Sequence, residues 1–193
     1  MNEILDPIAR SCGVLVGTDA QGRFEHLGTA WCSAPGEWVT AWAGEEGPGP
    51  GVRLLLAQTG EALAIAGWEH DDDGIAGFTA PSLVPALALR TDKPLAKREP
   101  LWALGYPSMI DHPSFRLARG SLDAGRYYPY LCPWAIRGHL SLFASTEGWL
   151  TGRAYDGMTG APVLDAANQV VGIVLGGDPA PEHPPLTRFR RLE

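Results

Sequence analysis

The segment Tyr155-Asp156-Gly157-Met158-Thr159-Gly160-Ala161-Pro162-Val163-Leu164-Asp165 decides how this 193-residue chain is interpreted. Two glycines, a threonine and a proline lie close together in it, and the apolar run at residues 170–174 follows. Glycine and proline at this density mark a tight loop, because they supply backbone angles that other residues avoid. The segment therefore predicts a tight loop that leads into a buried β-strand.

Outward from this segment, the whole chain shows short apolar runs separated by Gly/Pro turns. Predicted strands cover residues 14–16, 24–32, 38–41, 52–57, 62–66, 75–78, 101–105, 115–122, 140–144 and 170–175. A short helix is predicted only at residues 3–11. Many short strands with regular turns are typical of an all-β sandwich or barrel. In a two-barrel arrangement, the crossing between barrels would lie near residues 85–97.

Composition and charge narrow the classes of function. A content of 45% hydrophobic residues, with 24 glycines and 17 prolines, fits one compact, turn-rich domain. The net charge of −7 argues against a nucleic-acid partner, because phosphate binding needs clustered cations. The basic cluster at residues 188–191 is interpreted as a solvated tail.

Membrane and metal partners are not expected either. The sequence has no apolar stretch near the ~20 residues that span a bilayer. The three cysteines lack metal-ligand spacing, and we expect no cofactor and no metal. The start of the sequence lacks a signal-peptide pattern, which favours a cytoplasmic location; a processed secreted form stays open.

Four segments, in order, resemble the trypsin-like (chymotrypsin-fold) serine proteases, especially bacterial ones. Residues 27–32 with 38–43 are similar to the family's Gly-Ser/Thr-Gly-Phe and Val-Leu-Thr-Ala-Ala-His, and residues 73–78 to Asp-Ile-Ala-Leu-Leu. Residues 101–107 are similar to Val-x-Ala-Ile-Gly-Tyr-Pro, and residues 157–162 to Gly-Asp/Asn-Ser-Gly-Gly-Pro. The resemblance implies two antiparallel six-stranded barrels, from residues 1–85 and 98–177, followed by a Pro-rich and basic tail at residues 178–193.

The catalytic positions of the family are changed in this chain. The resemblance aligns the family's histidine with Ala43, its aspartate with Gly74 and its serine with Thr159. The loop that binds the oxyanion in the family corresponds to Gly157, Met158 and Thr159. A hydroxyl without a nearby base is a weak nucleophile. We therefore expect a pseudoprotease, with no catalytic residue, that binds a protein or peptide.

Two alternative functions stay open. Thr159 could act as the nucleophile of a noncanonical hydrolase if a relocated base, either His112 or His70, reaches it. The acidic turn at residues 70–73 could instead make the chain a structural or metal-associated domain of a larger assembly. A solvated turn is the ordinary interpretation of such a charge run.

An aromatic cluster is the strongest candidate for an interface. Tyr127, Tyr128, Tyr130 and Trp134 lie within eight residues of each other, in what the sequence predicts to be an irregular loop. Such clusters occur both in cores and on protein-binding surfaces. The sequence leaves both interpretations open, together with the oligomeric state.

Overall fold

The apolar runs of the first half form one seven-stranded antiparallel sheet in the computed structural model, which describes residues 5–44, 46–110, 121–177 and 185–192. Its strands are β1 (Cys12–Thr18), β2 (Phe24–Ala34), β3 (Glu37–Ala41), β4 (Arg53–Leu55), β5 (Ala62–Ala64), β6 (Ala66–His70) and β7 (Ile75–Thr79). They pair in the order β5-β4-β1-β2-β3-β7-β6. Alternate side chains such as Leu15, Trp38 and Phe78 form the hydrophobic core of this sheet.

The second half forms a closed six-stranded barrel. Its strands are β8 (Pro100–Gly105), β9 (Trp134–Phe143), β10 (Glu147–Thr151), β11 (Pro162–Leu164), β12 (Val170–Gly177) and β13 (Leu186–Arg191). They pair in the order β10-β13-β12-β11-β8-β9. The fully buried ring of Phe189 fills the barrel, and Gly148 and Gly172 make room for it, since a Cβ there would lie 2.3 Å and 2.5 Å from ring atoms.

A third apolar cluster joins the two halves. Trp31 from the first sheet packs in it with Leu104 and Tyr106 from the barrel. Helix α1 (Leu5–Arg10) belongs to this contact, because the Tyr106 hydroxyl donates a hydrogen bond to the Ala9 carbonyl at 3.1 Å. Helix α2 (Ala124–Tyr127) and a 3₁₀ turn (Tyr128–Tyr130) precede β9. None of the helices in the described ranges is long and apolar enough to cross a bilayer.

The all-β class with its antiparallel barrels and the helix near residues 3–11 are confirmed, with one difference in detail. The first barrel is a half-barrel sheet in which two short strands stand where the sequence predicts one, so that it has seven strands instead of six. Its two edge strands, β5 and β6, are separated only by Ile65. The chain bends at this residue, so what the sequence suggests to be one strand pairs with β4 before the bend and with β7 after it.

The basic C-terminal segment is also not a solvated tail. Residues 186–191 form β13, which closes the second barrel between β10 and β12. Thr187 and Phe189 point inward and are fully buried, while arginines alternate with them. This period of two places the arginines along the outside of the barrel. The predicted strand at residues 115–122 lies mostly outside the described residues.

Candidate functional site

The loop of residues 155–161 is held between the two halves of the molecule. On one side, the Thr159 carbonyl accepts a hydrogen bond from the N–H of Thr29 on β2, at 2.8 Å. On the other side, the N–H of Gly160 donates to the carbonyl of Val174 on β12, also at 2.8 Å. Gly157 and Gly160 have φ angles of +89° and +88°, a left-handed region that favours glycine. The loop is therefore fixed by both sheets.

The backbone N–H groups of this loop differ in whether the described part of the chain supplies an acceptor. The N–H groups of Met158, Gly160 and Ala161 donate to carbonyl groups of the protein. Those of Gly157 and Thr159 have no acceptor within the described ranges of the chain. Paired N–H groups of this kind can bind a carbonyl or carboxylate oxygen. They belong to the segment that the sequence predicts to be the oxyanion loop.

The side chain between these two N–H groups serves the core instead of the site. Met158 is fully buried and packs with Val163 and Val174 in the barrel. The neighbouring Thr159 is partly exposed, and its hydroxyl forms no hydrogen bond with any residue that the structure describes. The loop is thus anchored by an apolar side chain, and none of the described residues acts as a hydrogen-bonded base for the hydroxyl beside it.

Ala43 and Gly74 line one pocket of about 390 Å³. The N–H of Trp42 donates to the Gly74 carbonyl at 2.8 Å, which holds the ends of β3 and β7 together. A methyl group and a hydrogen atom therefore line this pocket at the positions aligned with histidine and aspartate. Gly160 packs against Ala41, at the end of β3, so the loop lies beside this region. Convergence of Thr159 itself with the pocket stays a prediction.

The candidate relocated bases have different outcomes. His70 is exposed and lines the same pocket as Ala43 and Gly74. His112 lies outside the described residues, so its role as a base stays a prediction.

The acidic turn is largely occupied by protein partners. The Asp71 carboxylate accepts hydrogen bonds from the N–H groups of Asp73 and Ile75, at 3.0 Å and 2.9 Å. Asp73 pairs with Arg190 of β13 at 3.1 Å. Within the described ranges, no three potential ligands are grouped to hold a metal ion. The turn therefore links the first sheet to the barrel.

A buried histidine supports the loop, and the sequence analysis missed it. His26 Nδ1 lies 2.9 Å from the Tyr127 hydroxyl, and its Nε2 lies 3.3 Å from the Gly157 carbonyl oxygen. The same carbonyl accepts a hydrogen bond from the Thr29 hydroxyl at 2.8 Å. The distances fit a neutral imidazole that accepts from Tyr127 and donates to Gly157. One signal was available: His26 and Phe24 share the inward face of β2, and a histidine on a buried face needs partners.

Burial makes His26 a source of acid sensitivity. It lowers the pKa of His26 to about 4, against an opposing effect of the hydrogen bond to Gly157. Because the unfolded chain binds the proton near pH 6.5, this stabilising contribution is complete above that pH and is lost towards pH 4. We expect the free energy of unfolding to fall by roughly 3 kcal/mol across this window.

Urea unfolding at a series of pH values would measure this effect. His26→Gln should lose most of the slope between pH 6.5 and 4, whereas His70→Gln, at an exposed position, should retain it. An unchanged slope in His26→Gln would contradict the assignment.

The aromatic cluster divides between core and surface. Tyr127, predicted to be a possible interface residue, is instead fully buried, because its ring packs against Phe24 and its hydroxyl contacts His26. Tyr128 is partly buried against the cluster that joins the two halves. Tyr130 and Trp134 are each 51% exposed. The last two stay candidates for an interface.

Known structures share this arrangement of strands. The chain is similar to the Rv3671c protease from M. tuberculosis in its active form, with a TM-score of 0.71 and 15% identity over 98% of this chain and 79% of that chain. For the inactive form of Rv3671c protease, the TM-score is 0.68 and the identity 14%, over 98% of this chain and 87% of that chain. For a Glu endopeptidase in complex with MPD, the TM-score is 0.66 and the identity 13%, over 95% of this chain and 85% of that chain. No protein-family model and no curated protein sequence matches the chain. At these identities the likeness concerns the fold alone: this chain has the fold of the chymotrypsin-like serine proteases.

Proposed function

We propose that this chain is a catalytically inactive serine protease homologue that binds a protein or peptide partner. The observation that carries the proposal is the Thr159 hydroxyl, which forms no hydrogen bond with any side chain that the structure describes. The methyl group of Ala43 supports it, because a methyl group cannot accept a proton. Losing the base alone removes most of the rate advantage of a Ser-His-Asp arrangement.

A strand edge beside the loop supports peptide binding. On one side β12 pairs with β13 as far as Gly177, but on the other β11 covers it only up to Ile173. Val174 then bonds to Ala161 and Gly160, and no described strand pairs beyond it on that side. An extended peptide can add to such an edge through its backbone. The N–H groups of Gly157 and Thr159, which have no acceptor in the described ranges, belong to the loop that bonds to this strand at Val174.

The test combines hydrolysis with labelling. We expect purified protein to show no turnover of peptide or ester substrates above background, and no labelling by a fluorophosphonate. Thr159→Ala should leave turnover and labelling at background. It should also leave the free energy of unfolding unchanged within about 0.5 kcal/mol. Turnover by the wild type that disappears in Thr159→Ala would overturn the proposal.

One observation favours a second candidate function, a hydrolase that uses Thr159. His70 lines the pocket with Ala43 and Gly74, where a base would act. Under this alternative, His70→Ala would abolish turnover as fully as Thr159→Ala does. If turnover is lost in Thr159→Ala but retained in full in His70→Ala, His112 would instead be the candidate base.

A further inference from the structure

A second pocket shares no lining residue with the pocket of Ala43 and Gly74. It has a volume of about 390 Å³ and is lined by Pro107, Met109, Cys132, Trp134 and Tyr155. The rings of Trp134 and Tyr155 meet edge to face, with centroids 5.8 Å apart. Trp134 is 51% exposed and Tyr155 is 46% exposed. Large aromatic side chains that stay open to solvent around a concave surface are typical of a binding site.

This pocket is continuous with the loop that bears the N–H groups of Gly157 and Thr159. Tyr155 lines the pocket and also accepts, through its carbonyl, a hydrogen bond from the N–H of Met158 at 3.0 Å. Between the lining residues Pro107 and Met109, the N–H of Ser108 donates to the Asp156 carbonyl of the loop at 2.6 Å. A ligand whose backbone reaches the N–H groups of Gly157 and Thr159 therefore has this pocket beside it.

A cation lies next to Tyr155, one of the residues that line this pocket. The guanidinium carbon of Arg153 lies 5.8 Å from the centre of the Tyr155 ring, a cation–π contact. Within the described ranges, no carboxylate forms an ion pair with Arg153. This positive charge therefore favours a carboxylate on whatever enters the pocket.

We infer that the pocket of Trp134 and Tyr155 binds an aromatic side chain of a peptide partner, and that Arg153 binds the carboxylate of an acidic residue next to it. This inference rests on the proposed peptide-binding function and adds its selectivity. The apolar lining matches an aromatic side chain, and the guanidinium of Arg153, which pairs with no carboxylate of the described residues, matches the acidic neighbour.

Cys132 provides a direct readout of occupancy. It is exposed and lines the pocket, whereas the other two cysteines, Cys12 and Cys32, are buried. A thiol reagent should therefore react first at Cys132. We expect the peptide acetyl-Ala-Ala-Phe-Asp-Ala-amide to slow this reaction in a saturable way. A peptide with Ser in place of Phe should need about tenfold higher concentration for the same protection. A peptide with Asn in place of Asp should need about threefold higher concentration.

Matched variants separate the pocket from general effects. Trp134→Ala should weaken protection by the Phe-Asp peptide about tenfold. Arg153→Gln should weaken it about threefold and remove the preference for Asp over Asn. Leu142→Ala is the control, since Leu142 lies on the same strand, β9, is 60% exposed and does not line the pocket.

The outcomes distinguish this inference from the proposed function. Fluorescence anisotropy of labelled peptides gives binding independently of Cys132. Equal binding of the Phe and Ser peptides by the wild type would overturn the inference and leave peptide binding intact. Absence of binding by every peptide would overturn both. Cleavage of the bound Phe-Asp peptide would overturn the inactive assignment and support the pocket.

Discussion

Gly160→Ala is expected to destabilise the fold by about 3 kcal/mol or more, because a side chain at this position has neither space nor an accessible backbone conformation. A Cβ there would lie 2.1 Å from the Thr29 carbonyl oxygen and 2.2 Å from the Thr40 hydroxyl. The φ angle of +88° adds strain for any L-residue other than glycine. Relief would require the loop to move away from β2 and β3. Urea unfolding followed by tryptophan fluorescence would measure the loss.

Gly22→Ala is the matched control for this effect. Gly22 also has a left-handed φ, of +72°, but no atom lies within 4 Å of its built Cβ. Gly22→Ala should therefore lower the free energy of unfolding only by the backbone strain, about 1 kcal/mol. Equal stability losses in the two variants would mean that the loop is not packed against the first sheet as described.

The sequence predicts much of the fold because apolar runs and Gly/Pro turns follow the strands. It fails where strands are built from mixed residues. β10 contains Glu147 and two threonine or glycine positions beside its buried Leu150, and β13 carries alternate arginines around Phe189. Such segments become strands because barrel neighbours supply the hydrogen bonds and bury alternate side chains.

Contacts between distant segments limit the prediction of the site. The loop itself follows from its glycines and proline, and the aligned positions Ala43 and Gly74 do share a pocket. The support from His26 and Tyr127 could not be predicted in the same way. These two residues lie 101 positions apart, and only the docking of the two halves brings their side chains together. The same docking buries Tyr127, which sequence clustering suggested as an interface residue.

The parts of the site differ in how far they depend on the side chains at the positions aligned with the family's catalytic residues. The methyl group of Ala43 and the hydrogen of Gly74 leave an open pocket beside an acidic turn. The N–H groups of Gly157 and Thr159, in contrast, depend only on the backbone, which is held by His26, Thr29 and Val174. Oxygen binding by the loop can thus persist without a triad, which is why binding rather than hydrolysis is the proposed function.

The segment between β7 and β8, residues 80–99, connects the two halves and carries a buried ion-pair network. We call this segment the connector. The Arg90 guanidinium, with 2% of its side chain exposed, pairs with Glu99 and with Asp165 at 3.2 Å. Asp165 also accepts hydrogen bonds from the N–H groups of Ala167 and Gln169 at 2.8 Å and 3.0 Å. The N–H of Arg90 donates to the Val170 carbonyl at 2.9 Å, so the connector is fixed to the start of β12.

The protonation of both acids is tied to this network. Hydrogen bonds from Arg90 lower the pKa of Glu99. For Asp165, burial works to raise the pKa, but hydrogen bonds from Gln169, Arg90 and Ala167 outweigh it and lower the pKa. Both carboxylates therefore stabilise the fold above their unfolded pKa of about 4, and this contribution is lost as the pH falls through their lower folded values.

Arg90→Met is expected to lower the free energy of unfolding by about 3 to 5 kcal/mol at pH 7, because it leaves two partly buried carboxylates without their cation. Protonation relieves such unpaired charges, so the difference between variant and wild type should narrow as the pH is lowered from 7 to 4. Urea unfolding at the two pH values measures this. Asp73→Ala is the control: it removes an ion pair to Arg190 whose carboxylate is 62% exposed, and should cost less than about 1 kcal/mol. A difference that stays constant with pH would show that Arg90 stabilises the connector by packing and not by its charge.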